Sequence, residues 1–480
     1  MEGGSAQSLT TRDLRANPLC EQHELPPFTA ERLADMTAGL GTGPRLGPED
    51  CRKIAGTAAG PMRRLEDGLM EEWTLWLQQH PHRDAAVDVH VGTQRHFANS
   101  NATLSVVSWN TLSRTWLEKS RDDPEYVNVP SECFDWDSRA RRLLAMLVTL
   151  DADLILLQEV DFAVFEASFL KPLSEVGYEG LMQNDRKRTE EQPCGNATFW
   201  KKCRLQLQWA DHRSRTLIAG LRLLDGLGVG GELAVINAHL ESSQAKSEAR
   251  ASQLHSALGK VRGTSAVILG GDFNTGSDSP LHAVLRNFEW HNHALAAAYE
   301  HLAAVSTAQA TECTFAVSGG HRYAIDHLFY SHRMLRPTAL LEALPEELRH
   351  KCLRETTRGL PDAHVPSDHI PIGAIFEVSP ASADGPSPLA LPKTKEEEIE
   401  LWSSSANPLS AEQQQAWQAL CAVNLRKPKG KPTAEEIQAL REQKEQRLAR
   451  EKDFVAGLSE EARVFLSLFK DARAVLKRFP

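Results

Sequence analysis

Residues 266–274 read AVILGGDFN. Apolar residues run into a pair of glycines, and an aspartate and an asparagine follow, two apart. A short continuous apolar run reads as a strand covered on both faces. Ending such a strand in a carboxylate and an amide is costly unless something there needs them. If the chain stays extended, Asp272 and Asn274 share a face and Phe273 points the other way, into the fold.

The same kind of run recurs on both sides of this stretch: LSVVSW (104–109), LILLQ (154–158), TLIAGLRLL (216–224), ELAVINA (232–238), AIDHLFY (324–330) and IPIGAIFEV (370–378). Helix-like stretches lie between them. In DSRARRLLAMLVTL, Leu143, Leu144, Leu147 and Val148 are spaced for one face, and SEARASQLHSALGKV is a second such stretch. Strands alternating with helices predict an α/β class.

Six of the apolar segments carry a polar group at or near one end. SWNTL places Asn110, LQEVD places Glu159, and NAHLES places Asn237 and His239. GGDFN places Asp272 and Asn274, YAIDH places Asp326, and VPSDHIPIG places Asp368 and His369. Any one of these, taken alone, reads better as a turn residue or a solvated strand end than as a site residue. Six in one domain is a different matter, because strand ends on one side of an α/β fold converge and ligands bind there. A convergent set of carboxylates destabilises the fold unless cations neutralise it. Carboxylate and amide oxygens suit hard ions such as Mg²⁺ or Mn²⁺. Cysteine is absent from every one of these motifs, which argues against structural zinc. Mg²⁺ is usually held by one or two carboxylates plus substrate phosphate, so the chemistry expected is metal-assisted attack of water on a phosphate ester. Gly270 and Gly271 are then expected to let a phosphate approach the backbone.

The ordered set of WN-T-L, LQEV, N-x-HL, GD-x-N, ID and SDH, covering about residues 102–378, resembles the endonuclease/exonuclease/phosphatase superfamily with the DNase I-like fold. The resemblance implies a two-sheet β-sandwich flanked by helices and Mg²⁺-dependent cleavage of phosphate esters. It implies metal ligation by Asn110 and Glu159. Asp272 is implied as the base that activates water and Asn274 as the amide on a phosphate oxygen or second metal, both beside the metal. His239 is implied as the phosphate-contacting histidine. Asp326 and His369 are implied as a pair that stabilises the transition state, with Asp368 orienting or ligating nearby.

Further segments resemble the mRNA deadenylase and nocturnin branch: FDWDSRARRLLAML (134–147), LQEVDFAVFEASFLKPLSEVGYEG (157–180), GDFNT followed by SPLHAVL, and TECTFAVSGGHRYAIDHLFYS (311–331). In the last of these His327 stands where tyrosine is usual, and Phe315 is a candidate to stack on a base. The basic stretch at 184–204 matches a variable loop of the branch and makes Arg186, Lys187 and Arg188 candidate phosphate contacts; Asn237 is a further candidate for substrate contact. The implied activity is a 3′-exoribonuclease of the poly(A) deadenylase type acting on a single-stranded RNA 3′ end. HLES at 239–242 departs from the deadenylase pattern and is closer to tyrosyl-DNA phosphodiesterases, although Arg250 and Gln253 keep the common R-x-x-Q spacing. A nocturnin-like phosphatase removing the 2′-phosphate of NADP(H), a small nucleotide phosphate, and a DNA end-processing phosphodiesterase therefore stay open beside it. A non-enzymatic adaptor is disfavoured, since none of the expected polar residues is missing.

Composition sets the frame. The 480 residues are 41% hydrophobic and 25% charged, an ordinary globular profile with room for one large domain and extensions. Net charge −10 excludes a protein that coats nucleic acid through overall basicity. No segment approaches the ~18 apolar residues of a membrane span. The first residues, with no apolar core behind a basic start, do not read as a secretory signal, and Glu2 and Asp13 weaken the reading as a transit peptide without closing it. The eight cysteines form no C-x-x-C pair and read as free thiols. The expected setting is intracellular and cytoplasmic rather than nuclear, with an organellar destination open.

The expected organisation is a helical or loop-rich extension over 1–100, the catalytic domain over 102–378, a proline-rich linker over 379–393 and helices over 394–480. In the first extension, Leu65, Leu69, Trp73, Trp76 and Leu77 are spaced for a helix. In the last, Thr433 and Glu436 form a capping box before a charged helix that Gly457 ends. Val464, Phe465, Leu468 and Phe469 then make an amphipathic face that must pack on something. Docking on the catalytic domain is expected, and recognition of a protein partner is the alternative.

Overall fold

The computed structural model describes residues 8–9, 62–64, 409–422, 434–468 and most of 103–378. Within 103–378, residues 185–191, 225–231, 262–263, 288, 291–292, 300–312, 319–320, 333, 342–358 and 363–364 lie outside the description.

The strands are β1 (Ser8–Leu9), β2 (Met62–Arg64), β3 (Thr103–Asn110), β4 (Leu154–Asp161), β5 (Tyr178–Met182), β6 (Cys194–Lys201), β7 (Leu205–His212), β8 (Thr216–Leu223) and β9 (Glu232–His239). They continue with β10 (Ala266–Asp272), β11 (Glu289–Trp290), β12 (His293–Ala297), β13 (Phe315–Ala316), β14 (Arg322–Tyr323), β15 (Asp326–Ser331), β16 (Leu335–Leu341) and β17 (Ile372–Val378). One sheet runs β1-β2-β16-β17-β3-β4-β6-β5, the other β11-β12-β15-β10-β9-β8-β7, and β13-β14 form a small ribbon. Both large sheets mix parallel and antiparallel pairs: β3 is parallel to β4 and β9 to β10.

The sheets pack face to face over Leu104, Val106, Leu156, Val235, Ile268, Leu328 and Phe376. The outer face of the first sheet is covered by helix α2 (Trp136–Leu150), after the short α1 (Arg114–Lys119). Asp135 caps α2 by accepting the Ser138 N–H at 2.9 Å, and left-handed Asp151 ends it. After α3 (Lys171–Glu175), the outer face of the second sheet is covered by α4 (Ser247–Leu258) and α5 (Pro280–Asn287). The strands between these layers are therefore wetted on neither side. In β10, Ala266 and Ile268 enter the inter-sheet core while Val267, Leu269 and the following Phe273 face the helices.

The two glycines serve the protein's own packing, not a phosphate. A Cβ on Gly270 would meet Leu156 Cδ1 of the opposite sheet at 2.9 Å. Gly271 has φ +146°, and a Cβ there would lie 1.8 Å from the Ala238 carbonyl oxygen of β9. Their smoothness lets the sheets and neighbouring strands close up at the mouth of the sandwich.

Beyond the sandwich come α6 (Ala411–Ala422), α7 (Ala434–Ala456) and α8 (Glu460–Leu468). Gly457 follows α7 and donates to the carbonyls of Asp453 and Phe454. Ala462, Val464, Phe465 and Leu468 are buried in one cluster with Ala251 and Leu254 of α4 and Leu281 and Val284 of α5. At the edge, Arg463 pairs with Glu248 at 2.7 Å and Ser247 donates to Glu460 at 2.6 Å. Trp417 of α6 stacks on Phe454 of α7 at 5.5 Å. The C-terminal face that the sequence offered to a partner is thus covered within the chain.

Just before the stretch expected to be helical, Met62, Arg63 and Arg64 pair with β16 as β2. Leu65 to Leu77, the 379–393 linker, the Thr433 cap and Phe469 lie outside the described residues. No helix among the described residues is long and apolar enough to cross a membrane.

Candidate active site

Strand register builds the centre of the site. Asp272, the last residue of β10, pairs with His239 on parallel β9 and with Asp326 on antiparallel β15. Three functional side chains therefore hang in one row across adjacent strands. The other sheet supplies Asn110 at the end of β3 and Glu159 near the end of β4. Glu159 has φ 56°, and the β4–β6 ladder slips between Leu157 and Val160. This irregularity re-aims the Glu159 side chain, which would otherwise alternate with its neighbours.

Across the sheets, Asn110 Nδ2 donates to Glu159 Oε1 at 3.2 Å and to Asp272 Oδ2 at 3.1 Å. The Leu112 N–H holds Asn110 Oδ1 at 3.0 Å, so the amide turns its N–H₂ inward. His239 Nε2 lies 3.7 and 3.6 Å from the same two carboxylate oxygens. In this arrangement the Asn110 oxygen is held by a backbone N–H while its N–H₂ donates to two carboxylates.

Asn274 reaches the site by a turn. Its φ is 53°, its N–H donates to Asp272 Oδ1 at 2.8 Å, and its Nδ2 donates to the Leu240 carbonyl at 3.1 Å. The strand alternation expected to align it with Asp272 ends at Asp272. His327 supports this turn from below: it is buried against Phe273, with Nε2 2.7 Å from the Thr275 carbonyl.

His369 Nδ1 sits 2.8 Å from Asp326 Oδ2, and its Nε2 is 3.7 Å from Asp272 Oδ2. Burial disfavours the imidazolium, but the charges of Asp326, Asp272 and Asp368 and the hydrogen bond that His369 donates to Asp326 outweigh it and push the pKa up to about 10. Asp368 is turned away from this row. Its Oδ2 accepts from the Tyr126 hydroxyl at 2.7 Å. Burial raises its carboxyl above the ordinary value, with His369 and the Tyr126 hydrogen bond opposing. Beneath both loops lies Arg139, which donates to the carbonyls of Thr111 at 2.8 Å and Pro366 at 3.3 Å. Burial pulls its pKa down to about 10. Arg139 thus ties the segment after Asn110 to the segment before Asp368.

Asp272, Asp326 and His369 each offer a ligand atom within 4.8 Å of the others, a set that could hold a metal ion. His369, however, already bridges the two aspartates as their counterion. The oxygens of Glu159 and Asp272 accept from Asn110 and from the N–H groups of Ser113 and Asn274, and His239 approaches one oxygen of each. Asp326 Oδ1 is buried without a hydrogen-bond partner among the described residues. This oxygen-rich, acidic mouth fits a hard divalent cation.

The remaining candidates divide. Phe315 is half-buried beside the site, its ring 5.0 Å from that of His369. Asn237 is not at the surface: it is fully buried, donates to the carbonyls of Leu157 and Ala197 and accepts from Gln158. It shares a face with His239 but sits one pair deeper, where it joins the sheets rather than meeting substrate. Arg186, Lys187 and Arg188 lie outside the described residues. Tyr126 and Arg139 do site work that sequence reasoning missed. So does Tyr323, 49% exposed and stacked on Phe315 at 6.2 Å. Arg139 stands in the quoted WDSR motif and was within reach; Tyr126, in an irregular loop, gave no signal.

The chain is similar to known proteins over its central part. A Ccr4 subunit of Candida albicans, named as the CCR4-Not complex 3′-5′-exoribonuclease subunit, is 24% identical over 347 residues, covering 58% of this chain and 42% of that protein. Nocturnin of Mus musculus is 25% identical over 328 residues, covering 64% and 73%. Among solved structures, ANGEL2, a 2′,3′-cyclic phosphatase in complex with adenosine-2′,3′-vanadate, aligns with TM-score 0.49 and 20% identity over 58% of this chain and 96% of that one. Residues 107–369, more than half of the chain, match the sequence profile of the Endonuclease/Exonuclease/phosphatase family, and the chain belongs to that family.

Proposed function

We propose that this protein is a divalent-metal-dependent phosphodiester hydrolase that shortens single-stranded RNA from its 3′ end. The observation that carries the hydrolytic reading is the row of His239, Asp272 and Asp326 with His369 bridging the two aspartates. It sets a base and two imidazoles around one point. Asp272 takes a proton as water adds to phosphorus, and the bond to the 3′-oxygen of the preceding nucleotide breaks. That oxygen takes up a proton from solvent, so a nucleoside 5′-monophosphate and a shortened strand result. The His369 imidazolium faces the phosphoryl oxygens where negative charge builds up, and His239 donates beside it. A divalent cation, Mg²⁺ with Mn²⁺ as the near alternative, held by Glu159 and Asp272, would polarise a phosphoryl oxygen.

RNA is favoured by the likeness to a protein named as an exoribonuclease subunit and by the aromatic shelf of Phe315 and Tyr323 beside His369. An intracellular setting belongs to the same reading. The free thiols of Cys133, Cys194 and Cys313 support it.

The test incubates the protein and Mg²⁺ with a 5′-labelled RNA ending in adenosines. Stepwise shortening that stops in EDTA is expected. Intact RNA alongside phosphate release from NADP⁺, or cleavage of single-stranded DNA alone, overturns the RNA reading.

A further inference from the structure

A cavity of about 520 Å³ opens beside the catalytic row. Arg213, Ser214 and Arg215 of the β7–β8 turn line it together with Ser252, Gln253 and Ser256 of α4, and Asn184 and His212 complete the lining. Among the described residues no carboxylate and no large apolar side chain lines it. Its size suits a nucleotide-sized group, and its lining of guanidinium, hydroxyl and amide groups suits an anion.

The cavity is tied to the row by hydrogen bonds. The Arg215 carbonyl accepts the His239 N–H at 2.9 Å and Asn196 Nδ2 at 3.1 Å. Two residues beyond His239, the Glu241 N–H donates to Gln253 at 3.1 Å. Buried Arg250 clamps the same loop through the carbonyls of Glu241 and Ser243. The backbone of the cavity is therefore as fixed as the strand that presents His239. Its two arginines are committed differently. Arg213 is held by Asp211 at 2.7 Å. The half-buried Arg215 meets Glu241 only at 3.6 Å, an ion pair without hydrogen-bond geometry. Its donors remain available to a stronger acceptor.

We infer that this cavity is a second phosphate subsite, holding through Arg215 a backbone phosphate of the single-stranded substrate adjacent to the one under attack. The inference rests on the proposed action on a polynucleotide. A strand gripped at Arg215 is fixed in register against Asp272 because both contacts hang from the ends of paired strands.

The test measures binding of labelled single-stranded oligoadenylate RNA in EDTA, where no cleavage occurs, across a range of salt concentrations. Arg215→Ala removes the charge, and Ser252→Glu places a carboxylate in the cavity from the opposite wall. Arg222→Ala, on the exposed face near the far end of β8, is the control for loss of one positive charge. Melting temperatures near that of the wild type establish that the variants fold. Affinity about tenfold weaker is expected for Arg215→Ala and Ser252→Glu. For Arg215→Ala the slope against log salt falls by about 0.7, as for one phosphate contact on a single strand. Arg222→Ala binds like the wild type. No binding by the wild type, or equal binding by all four proteins, overturns the subsite. The shortening assay with Mg²⁺ reads the activity independently. Shortening with unchanged binding in the variants overturns the subsite alone. Absent shortening with weakened binding in the variants overturns the activity and supports the subsite.

Discussion

Replacing Asp326 by asparagine tests the role of His369 with almost no change of shape. In the wild type, Asp326 Oδ2 is 2.8 Å from one imidazole nitrogen and Asp272 Oδ2 is 3.7 Å from the other. At an effective dielectric constant of about 20, these pairs attract by about 6 and about 4.5 kcal/mol. Losing the first removes the larger of the two attractions, so His369, pushed up to about 10 in the wild type, falls back toward the ordinary histidine range. At about pH 7.5 a histidine at its ordinary value is mostly neutral, so kcat/KM falls by about tenfold from titration alone. The assay is the pH profile of kcat/KM on the labelled RNA. The wild type holds its rate until the pH nears 10, whereas the variant declines from about pH 6 upward and recovers part of its loss on acidification. Parallel profiles for the two proteins would refute the assignment of a charged His369. Stability follows the same sign in metal-free protein. A raised histidine pKa stabilises the fold fully below 6.5, and that contribution is lost as the pH climbs through about 10. The variant lacks that alkaline loss in a melting-temperature series.

Asp272→Asn removes the base and lowers kcat by a factor of about 10² or more while the far-ultraviolet circular dichroism is retained; an unchanged rate removes Asp272 from that role. Gly271→Ala drives a Cβ toward the Ala238 oxygen, so little soluble folded protein is expected; a melting temperature equal to that of the wild type would contradict the close approach of β9 and β10. Phe465→Ala empties part of the α4–α5–α8 cluster and costs about 3 to 5 kcal/mol in denaturant unfolding. A loss under about 1 kcal/mol would mean that α8 does not pack there in solution.

Much of the fold could be read because its central strands are covered on both sides. β3, β4, β9, β10 and β17 sit between two layers, so their sequences show unbroken apolar runs. β7 lies at the edge of its sheet, with Gln206 and Gln208 exposed in alternation, and LQLQWADH shows no such run. The identities of the site groups were legible from their place at strand ends; their aim was not. Glu159 depends on a slip in the β4–β6 ladder and Asn274 on a left-handed turn, both set by tertiary packing. Asn237 and His239 point the same way, and only their depth in the sandwich separates a structural amide from an exposed imidazole. The orientation of the Asn110 amide was equally hidden, because the Leu112 N–H that holds its oxygen comes from a residue with φ 55°.

The row of His239, Asp272 and Asp326 also has a mechanical consequence. Each sits directly opposite its neighbour in the ladder, so the spacing between them is set by peptide hydrogen bonds. A breathing motion of the sheet carries all three together, and positional errors among them are correlated rather than independent. Sliding the central β10 by a single residue would break both pairs at once, since every side chain of that strand would change face. The chain between the strands is only a tether to this ruler. Its length can vary without altering the catalytic spacing, which leaves the loops free to change what is gripped while the point of cleavage stays where the ladder puts it.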